Sequence, residues 1–353
     1  MGEGKHLNTD YDVVSSKEEQ IMKNVKIIIV VCMLVLVSTI GSVSGAAAVE
    51  KQSQVLSGGQ IFYVGGNGPG NYTTIQEAID AASDGDTVFV YHDASPYYEN
   101  IVIHVSVSLV GEEKNTTIID GANISHSVNI TADNVMITGF TIRNGNDSGI
   151  IINSNNNRIT NNILIDDIYG IRTSFGEAFT SFQNNTITHN EFLLDGAGIT
   201  FFSGKNTIIT DNVISQTEQG IALLGTMNND VSWNIISENG FGILVLSSSN
   251  TLIYRNNISH NGNIGVWTLF TSADKIHQNN FIGNNQSAIS VQLLLSKIRI
   301  LKLKFHIPIR RDVWDGNYWD SPRVQPYIIP SAFKFRFQVD WHPAQEPYDI
   351  PVL

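Results

Sequence analysis

Six asparagines, Asn162, Asn190, Asn212, Asn234, Asn256 and Asn279, each sit in the frame apolar-x-x-Asn-x-apolar, at intervals of 28, 22, 22, 22 and 23 residues. Eight or nine residues after each ladder slot comes a glycine: Gly149, Gly170, Gly198, Gly220, Gly242 and Gly265, with Ala288 in the last place, each followed by Ile or Val. A chain that repeats at about 22 residues without helical periodicity inside the unit must bury each unit's apolar face against its neighbours, which predicts stacked β-coils.

The columns of the repeat test that reading. Ile137, Ile159, Ile187, Ile209, Val231, Ile253 and Ile276 stand three residues before the asparagine slot, and Ile142, Leu164, Phe192, Ile214, Ile236, Ile258 and Phe281 two after it. Polar Thr138, Thr160, Thr188, Thr210 and Ser232 fall beside the first column, so each coil alternates with the period of a strand. Ile150, Ile171, Ile199, Ile221, Ile243, Val266 and Ile289 supply a third inward column. Stacked asparagines should share hydrogen bonds along the axis at turns where Asn tolerates positive φ. The glycines should serve positive φ or close backbone approach. Both ladders therefore read as architecture, and the chain is expected to be all-β, a right-handed single-stranded parallel β-helix of eight to ten coils.

Net charge of −12 over 353 residues argues against a nucleic-acid partner, which would favour a basic face. The single cysteine, Cys32, excludes a disulfide framework. It lies in a candidate targeting segment: Met22 to Lys26, the apolar run Ile27 to Val37, then small residues to Ala48, the layout of a secretory signal. Either Met22 is the true start or residues 1–48 form a tail and an uncleaved anchor, the chain's one expected membrane association. Eight Asn-x-Ser/Thr sequons, at Asn71, Asn115, Asn123, Asn129, Asn146, Asn184, Asn257 and Asn285, suit an exported, cell-surface glycoprotein as well as they suit chance in a chain so rich in Asn, Ser and Thr.

A solenoid exposes its core at both ends. Thr74-Ile75-Gln76-Glu77 is a capping box, and Ile75, Ala78, Ile79 and Ala82 share one face of a short helix that would plug the first coil. The helix domain is expected over residues 60–292. Residues 293–353, with a basic run from Lys297 to Arg311 and the motif Trp314 to Asp320, should form an aromatic and proline-rich cap.

Tyr72 to Asp80, Asp84 to Val88, Tyr98 to Ile101, Leu109 to Glu112, Thr117 to Gly121, the Asn/Gly repeats and Asn317-Tyr318-Trp319-Asp320 together resemble the NosD-like family of exported right-handed parallel β-helix proteins, archaeal type. The resemblance implies a copper-related periplasmic maturation factor, or a carbohydrate-binding or sugar-hydrolysing module. Copper delivery favours clustered Met, Cys and His, and beyond the targeting segment only Met136, Met227 and scattered histidines remain.

Candidate chemistry is carboxylate chemistry. Asp167 and Asp195 each follow a ladder asparagine by five residues, so they occupy one column on successive coils, roughly 4.8 Å apart. Such a pair can divide into acid and nucleophile or share a cation such as calcium. Arg172 and Asp166 adjoin, and the 28-residue coil carries an insertion around Ser174 to Phe182 that includes Glu177. A lyase or hydrolase would require Asp167, Asp195 and Arg172 to converge outside the coil. The rest of that column, Gly145, Thr217, Asn239, Asn261 and Asn284, reads as a plain turn. Ala222, Leu244 and Trp267, two residues past their glycines, form an outward apolar stripe suited equally to sugar stacking and to a protein partner. The leading expectation is a non-catalytic protein that binds polysaccharide or another envelope component; no cofactor is assigned, calcium being the candidate the paired carboxylates raise and copper the one the family resemblance raises.

Overall fold

The structure, a computed structural model, describes residues 59–174, 182–291, 311–331 and 337–351. All of them belong to the unit Gln52–Leu353. Three parallel sheets of 11, 10 and 9 strands wind around one core. The first wall begins with Ile61–Val64 and ends with Val313–Asp315, the second runs from Tyr97–Tyr98 to Tyr318–Trp319, and the third from Ile101–Ile103 to Gln286–Val291. Register follows the repeat: Ile159 pairs with Ile137 and Ile187, Leu164 with Ile142 and Phe192, and Ile221 with Ile199 and Ile243. These side chains are fully or almost fully buried, which is why the walls are parallel and cooperative rather than solvated on both faces.

The asparagine ladder closes the corner between the first and second walls. Asn212 donates its backbone N–H to Asn234 Oδ1 at 3.0 Å, and its Nδ2 reaches Ile187 O, Thr210 O and Asn234 Oδ1. Its own Oδ1 accepts from the N and Nδ2 of Asn190. Every polar atom of the amide thus meets a buried partner. The positive φ lies one residue earlier than expected, at Asn161, His189, Asp211, Trp233, Arg255 and Gln278. The left-handed turn precedes the residue whose side chain must point inward, so any side chain able to face solvent is accepted there. The glycines serve close approach: a Cβ on Gly220 would lie 2.6 Å from Gly242 O, and one on Gly242 would lie 2.4 Å from Gly265 O.

The last coil corrects the expected alignment. Val266 pairs with Ala288, and Trp267 with Ile289, so Ser287 occupies the glycine slot, Ala288 points inward and Ile289 outward. The helical domain also runs past residue 292, since Val313–Asp315 joins the first wall, Tyr318–Trp319 the second, and Asn317 is the ladder's seventh rung. The basic run lies outside the described residues up to Ile309 and Arg310.

Both ends are finished by polar chemistry. At the N-terminal end, the helix Ile75–Ala81 buries Ile75, Ala78 and Ile79 on the first coil, and Thr74 Oγ1 accepts from Glu77 N. Its other free N–H groups, on Ile75 and Gln76, are taken by the Glu99 carboxylate at 2.8 and 2.9 Å, which also complements the helix dipole. At the C-terminal end, Trp319 stacks between Phe281 and Tyr327 at 4.4 and 3.9 Å. Asp340, on the hairpin Tyr327–Pro330/Phe337–Asp340, ends the ladder. Its Oδ2 accepts from Asn317 N, Asn317 Nδ2 and Trp319 Nε1, and its Oδ1 from Gly316 N and His342 N. An acceptor-only side chain suits a final rung, which has no coil beyond it to receive a donor.

Two substitutions measure these contributions by chemical denaturation. Asn212→Ala orphans the buried N–H of Asn190 and both donors' carbonyl partners, and should cost about 3 kcal/mol. Asp340→Asn turns an –NH2 toward backbone donors whichever way the amide is flipped, and should cost about 2 kcal/mol.

Candidate functional site

Asp167 and Asp195 are stacked on successive coils, but they point inward. They are 5% and 3% exposed. The fifth residue after the ladder asparagine lands on the corner between the second and third walls, and that corner carries its own inward ladder. Gly145 N donates to Asp167 Oδ1 at 2.6 Å and Asp167 N to Asp195 Oδ1 at 3.0 Å. Further along, Asn239, Asn261 and Asn284 accept from the preceding coil in the same way. Those asparagines also donate Nδ2 to the carbonyls of Ile214, Ile236 and Ile258, a bond that an ionised carboxylate cannot make.

The second oxygen, Oδ2, of both aspartates is buried without a hydrogen-bond partner among the described residues. Burial pushes the Asp167 carboxyl up to about 8. It pushes Asp195 up to about 9, with repulsion from Asp167 as a further cause. At pH 7 burial therefore keeps both largely neutral; they supply the ladder's acceptor, while the bond that the NH2 makes elsewhere in the column has no counterpart at their Oδ2. The structure thus moves this pair from the lateral surface into the wall.

Arg172 does not join them. Its Nε and NH2 lie 2.6 and 2.5 Å from Asp147 Oδ2, its NH1 donates to Thr173 O, and its guanidinium lies 5.6 Å from the Tyr169 ring centroid. His126 Nδ1 approaches the same carboxylate oxygen at 3.2 Å and Ser148 Oγ at 2.8 Å. Burial holds the His126 imidazole below its ordinary value, with Arg172 adding to the shift and Asp147 opposing it. The cluster is self-neutralising: one carboxylate already serves two basic groups.

Glu177 lies outside the described residues. Ala222, Leu244 and Trp267 are in register on the outward side of the third wall, between the inward residues Ile221 and Leu223, Ile243 and Val245, Val266 and Thr268. They are nonetheless 1%, 6% and 5% exposed, and the Phe241 ring stacks on Trp267 at 5.9 Å. An aligned outward stripe is present, but its faces are closed to a sugar.

Another column of the repeat does meet solvent. Asn156, Asn184, Asn206, Asn228 and Asn250 each precede a ladder asparagine by six residues, so the same repeat carries the signal. All have φ between 52° and 60°. Their amides link along the corner of the first and third walls, Nδ2 to the preceding Oδ1, at 3.0, 3.1, 3.3 and 2.8 Å. Because φ is positive at these residues, the side chains project outward, leaving a regular row of amide donors and acceptors.

Against known proteins, the family model described as periplasmic copper-binding protein (NosD) matches residues 79–324, more than half of the chain. No curated protein matches. Among solved structures, the A-module of a mannuronan C-5 epimerase from Azotobacter vinelandii is 19% identical with a TM-score of 0.52, over 61% of this chain and 68% of that one. An alginate lyase from Paenibacillus sp. is 12% identical with a TM-score of 0.45, over 66% and 94%. A pectate lyase is 14% identical with a TM-score of 0.43, over 65% and 74%. At such identities the likeness is one of fold, the parallel β-helix.

The donor set does not fit copper. Among the described residues no three of His, Cys, Asp or Glu converge. Met136 and Met227 sit on separate coils, and His126, His92 and His342 are each engaged by a carboxylate. Soft-ligand chemistry has no centre among the described residues.

The buried aspartates make a pH prediction. A folded pKa raised above the unfolded value near 3.9 contributes stability that is whole below that value and lost as pH rises toward 8 and 9. Asp195→Asn, which restores the column's amide, should stabilise the protein by up to about 5 kcal/mol at pH 7.5, the gain vanishing toward pH 4. Denaturation curves across that range measure it.

Proposed function

The chain belongs to the NosD family, described as periplasmic copper-binding proteins, and from that premise we propose that it is an exported β-helix that binds an envelope polysaccharide along its side without turning it over. The observation that carries this reading is the exposed amide row Asn156, Asn184, Asn206, Asn228 and Asn250. Its rungs recur at the coil rise, about 4.8 Å. A linear polymer presents hydroxyls at a regular repeat too, so one contact made well can be made several times. Each amide keeps one N–H and one acceptor lone pair after bonding its neighbours, the inventory that sugar hydroxyls require.

Turnover is disfavoured by the chemistry of the acids. Glycoside cleavage needs two accessible carboxyl groups across a substrate. Asp167 and Asp195 are enclosed, Oδ1 of each holding a backbone N–H, and Arg172 is committed to Asp147. Export rests on the targeting pattern of residues 22–48, outside the described residues. No helix among the described residues is long and apolar enough to cross a membrane.

Co-sedimentation with polysaccharides from a bacterial or archaeal envelope, paired with a reducing-end assay, tests the reading. Binding without release of new ends is expected. The double variant Asn206→Ala/Asn228→Ala should bind about tenfold more weakly and remain folded, with its unfolding midpoint lowered by the roughly 1 kcal/mol per site that alanine costs at positive φ. Release of new chain ends, or unchanged affinity in the double variant, would overturn it.

A further inference from the structure

The first coil carries an aromatic surface. Val64, Val88 and Val90 point into the core, so on the paired strands Ile61–Val64 and Thr87–Val90 the alternate residues Tyr63 and Phe89 face out, directly opposite each other in register. Tyr91 follows. The three rings touch edge to face and face to face, at 6.1 Å for Tyr63–Phe89, 5.1 Å for Phe89–Tyr91 and 6.0 Å for Tyr63–Tyr91. Tyr63 is 39% exposed, and Phe89 and Tyr91 are partly so.

The surroundings are shaped to one side of these rings. The turn after the first strand comes down on Tyr91, and Gly66, at φ +69°, would place a Cβ 2.8 Å from that ring. Its N–H is held by Asp93 Oδ1 at 2.9 Å, and His92, between Tyr91 and Asp93 in the chain, is paired with Glu112 at 2.6 Å. The rim is acidic throughout. Residues 59–113 contain no Lys or Arg, and Lys114 is bonded to Glu191 at 2.6 Å.

Resting on the polysaccharide reading above, we propose that Tyr63, Phe89 and Tyr91 form a stacking site for an uncharged pyranose, with Asp93 and its neighbours receiving the sugar's hydroxyls. A pyranose ring has an apolar C–H face that packs on an aromatic face and a polar edge that needs acceptors, and tyrosine offers both a rigid ring and a polar tip. Carboxylates accept hydroxyl protons well and repel a uronate, so the charge selects against acidic glycans. Three rings are too small a patch for a stable protein partner, which needs about 800 Å² on each side.

The experiment uses the full chain and isothermal titration with cellohexaose, laminarihexaose and maltohexaose as neutral probes and an alginate hexamer as the acidic one. At least one neutral hexamer should bind, with a change in tyrosine fluorescence, and the alginate hexamer should not. Tyr63→Ala should weaken that binding about tenfold or more, while Tyr63→Phe, which keeps the ring, should stay within about threefold. Equal or tighter binding of the alginate hexamer, no binding by any neutral hexamer, or an unchanged Tyr63→Ala would overturn the site. The Asn206→Ala/Asn228→Ala variant separates the two readings. Polymer binding lost there but intact in Tyr63→Ala removes the stacking site and leaves the lateral row standing; absence of all glycan binding removes both.

Discussion

At each corner of this molecule a backbone N–H is turned into the core, where water cannot reach it, and the side chain of the following coil supplies its acceptor. Asn190 N meets Asn212 Oδ1, Asn212 N meets Asn234 Oδ1, and the series continues to Asn317. An unmet buried N–H costs about 1–3 kcal/mol, so a triangular coil with three sharp corners would be untenable without these ladders. The second corner uses Asp and Asn for the same task, and a third uses Asn157, Asn185, Asn229, Asp274 and Asp312. The isoleucine columns fill the space the ladders enclose. Hydrophobic burial supplies most of the driving force, and the amides decide where the chain is allowed to bend.

The same rule explains how acids come to stand in a core. Asp167, Asp195 and Asp274 keep the acceptor that the neighbouring N–H needs and give up the second donor, and burial holds their carboxyls at about 8 to 9. Protonation removes the buried charge, at the expense of alkaline stability, while Oδ2 of each stays without a partner among the described residues. A column of paired carboxyls therefore arises from turn architecture alone, without any demand from chemistry. The exposed Asn156 to Asn250 row differs only in direction, since its positive φ turns the amides to solvent.

Much of the fold was legible because a repeat repeats: the apolar columns, the asparagine ladder, the glycines and the capping helix all follow from residues spaced at one coil. What escaped were offsets of a single residue. The left-handed turn sits at Trp233 and Arg255 rather than at the asparagine after each, because backbone angle and side-chain direction are chosen by adjacent residues. Ala288 falls into the wrong slot because the last coil returns to eight residues, Asn279 to Ser287, after the nine from Asn256 to Gly265, and a one-residue offset turns each side chain to the other face. Asn317 looks like tail in the sequence because the residues between it and Asn279 break the period, although it is a ladder rung. The site was less legible still. Sequence distance placed Asp167, Asp195 and Arg172 together, but inward or outward is a property of the corner, and the partner of Arg172 is Asp147 on the coil before. Register alone could show Ala222, Leu244 and Trp267 in line; it could not show that they are covered.

The ladder has one further consequence. Every rung offers the same acceptor to the coil before it and the same donors to the coil after it, so a rung cannot register how many others lie on either side. Deleting or duplicating one whole turn rejoins like with like, while Glu99 at one end and Asp340 at the other still find their helix and their last asparagine. Length in such a chain is free to drift in steps of one coil under recombination between its own repeats. The reach of the lateral amide row then changes in the same steps, with no redesign of the core.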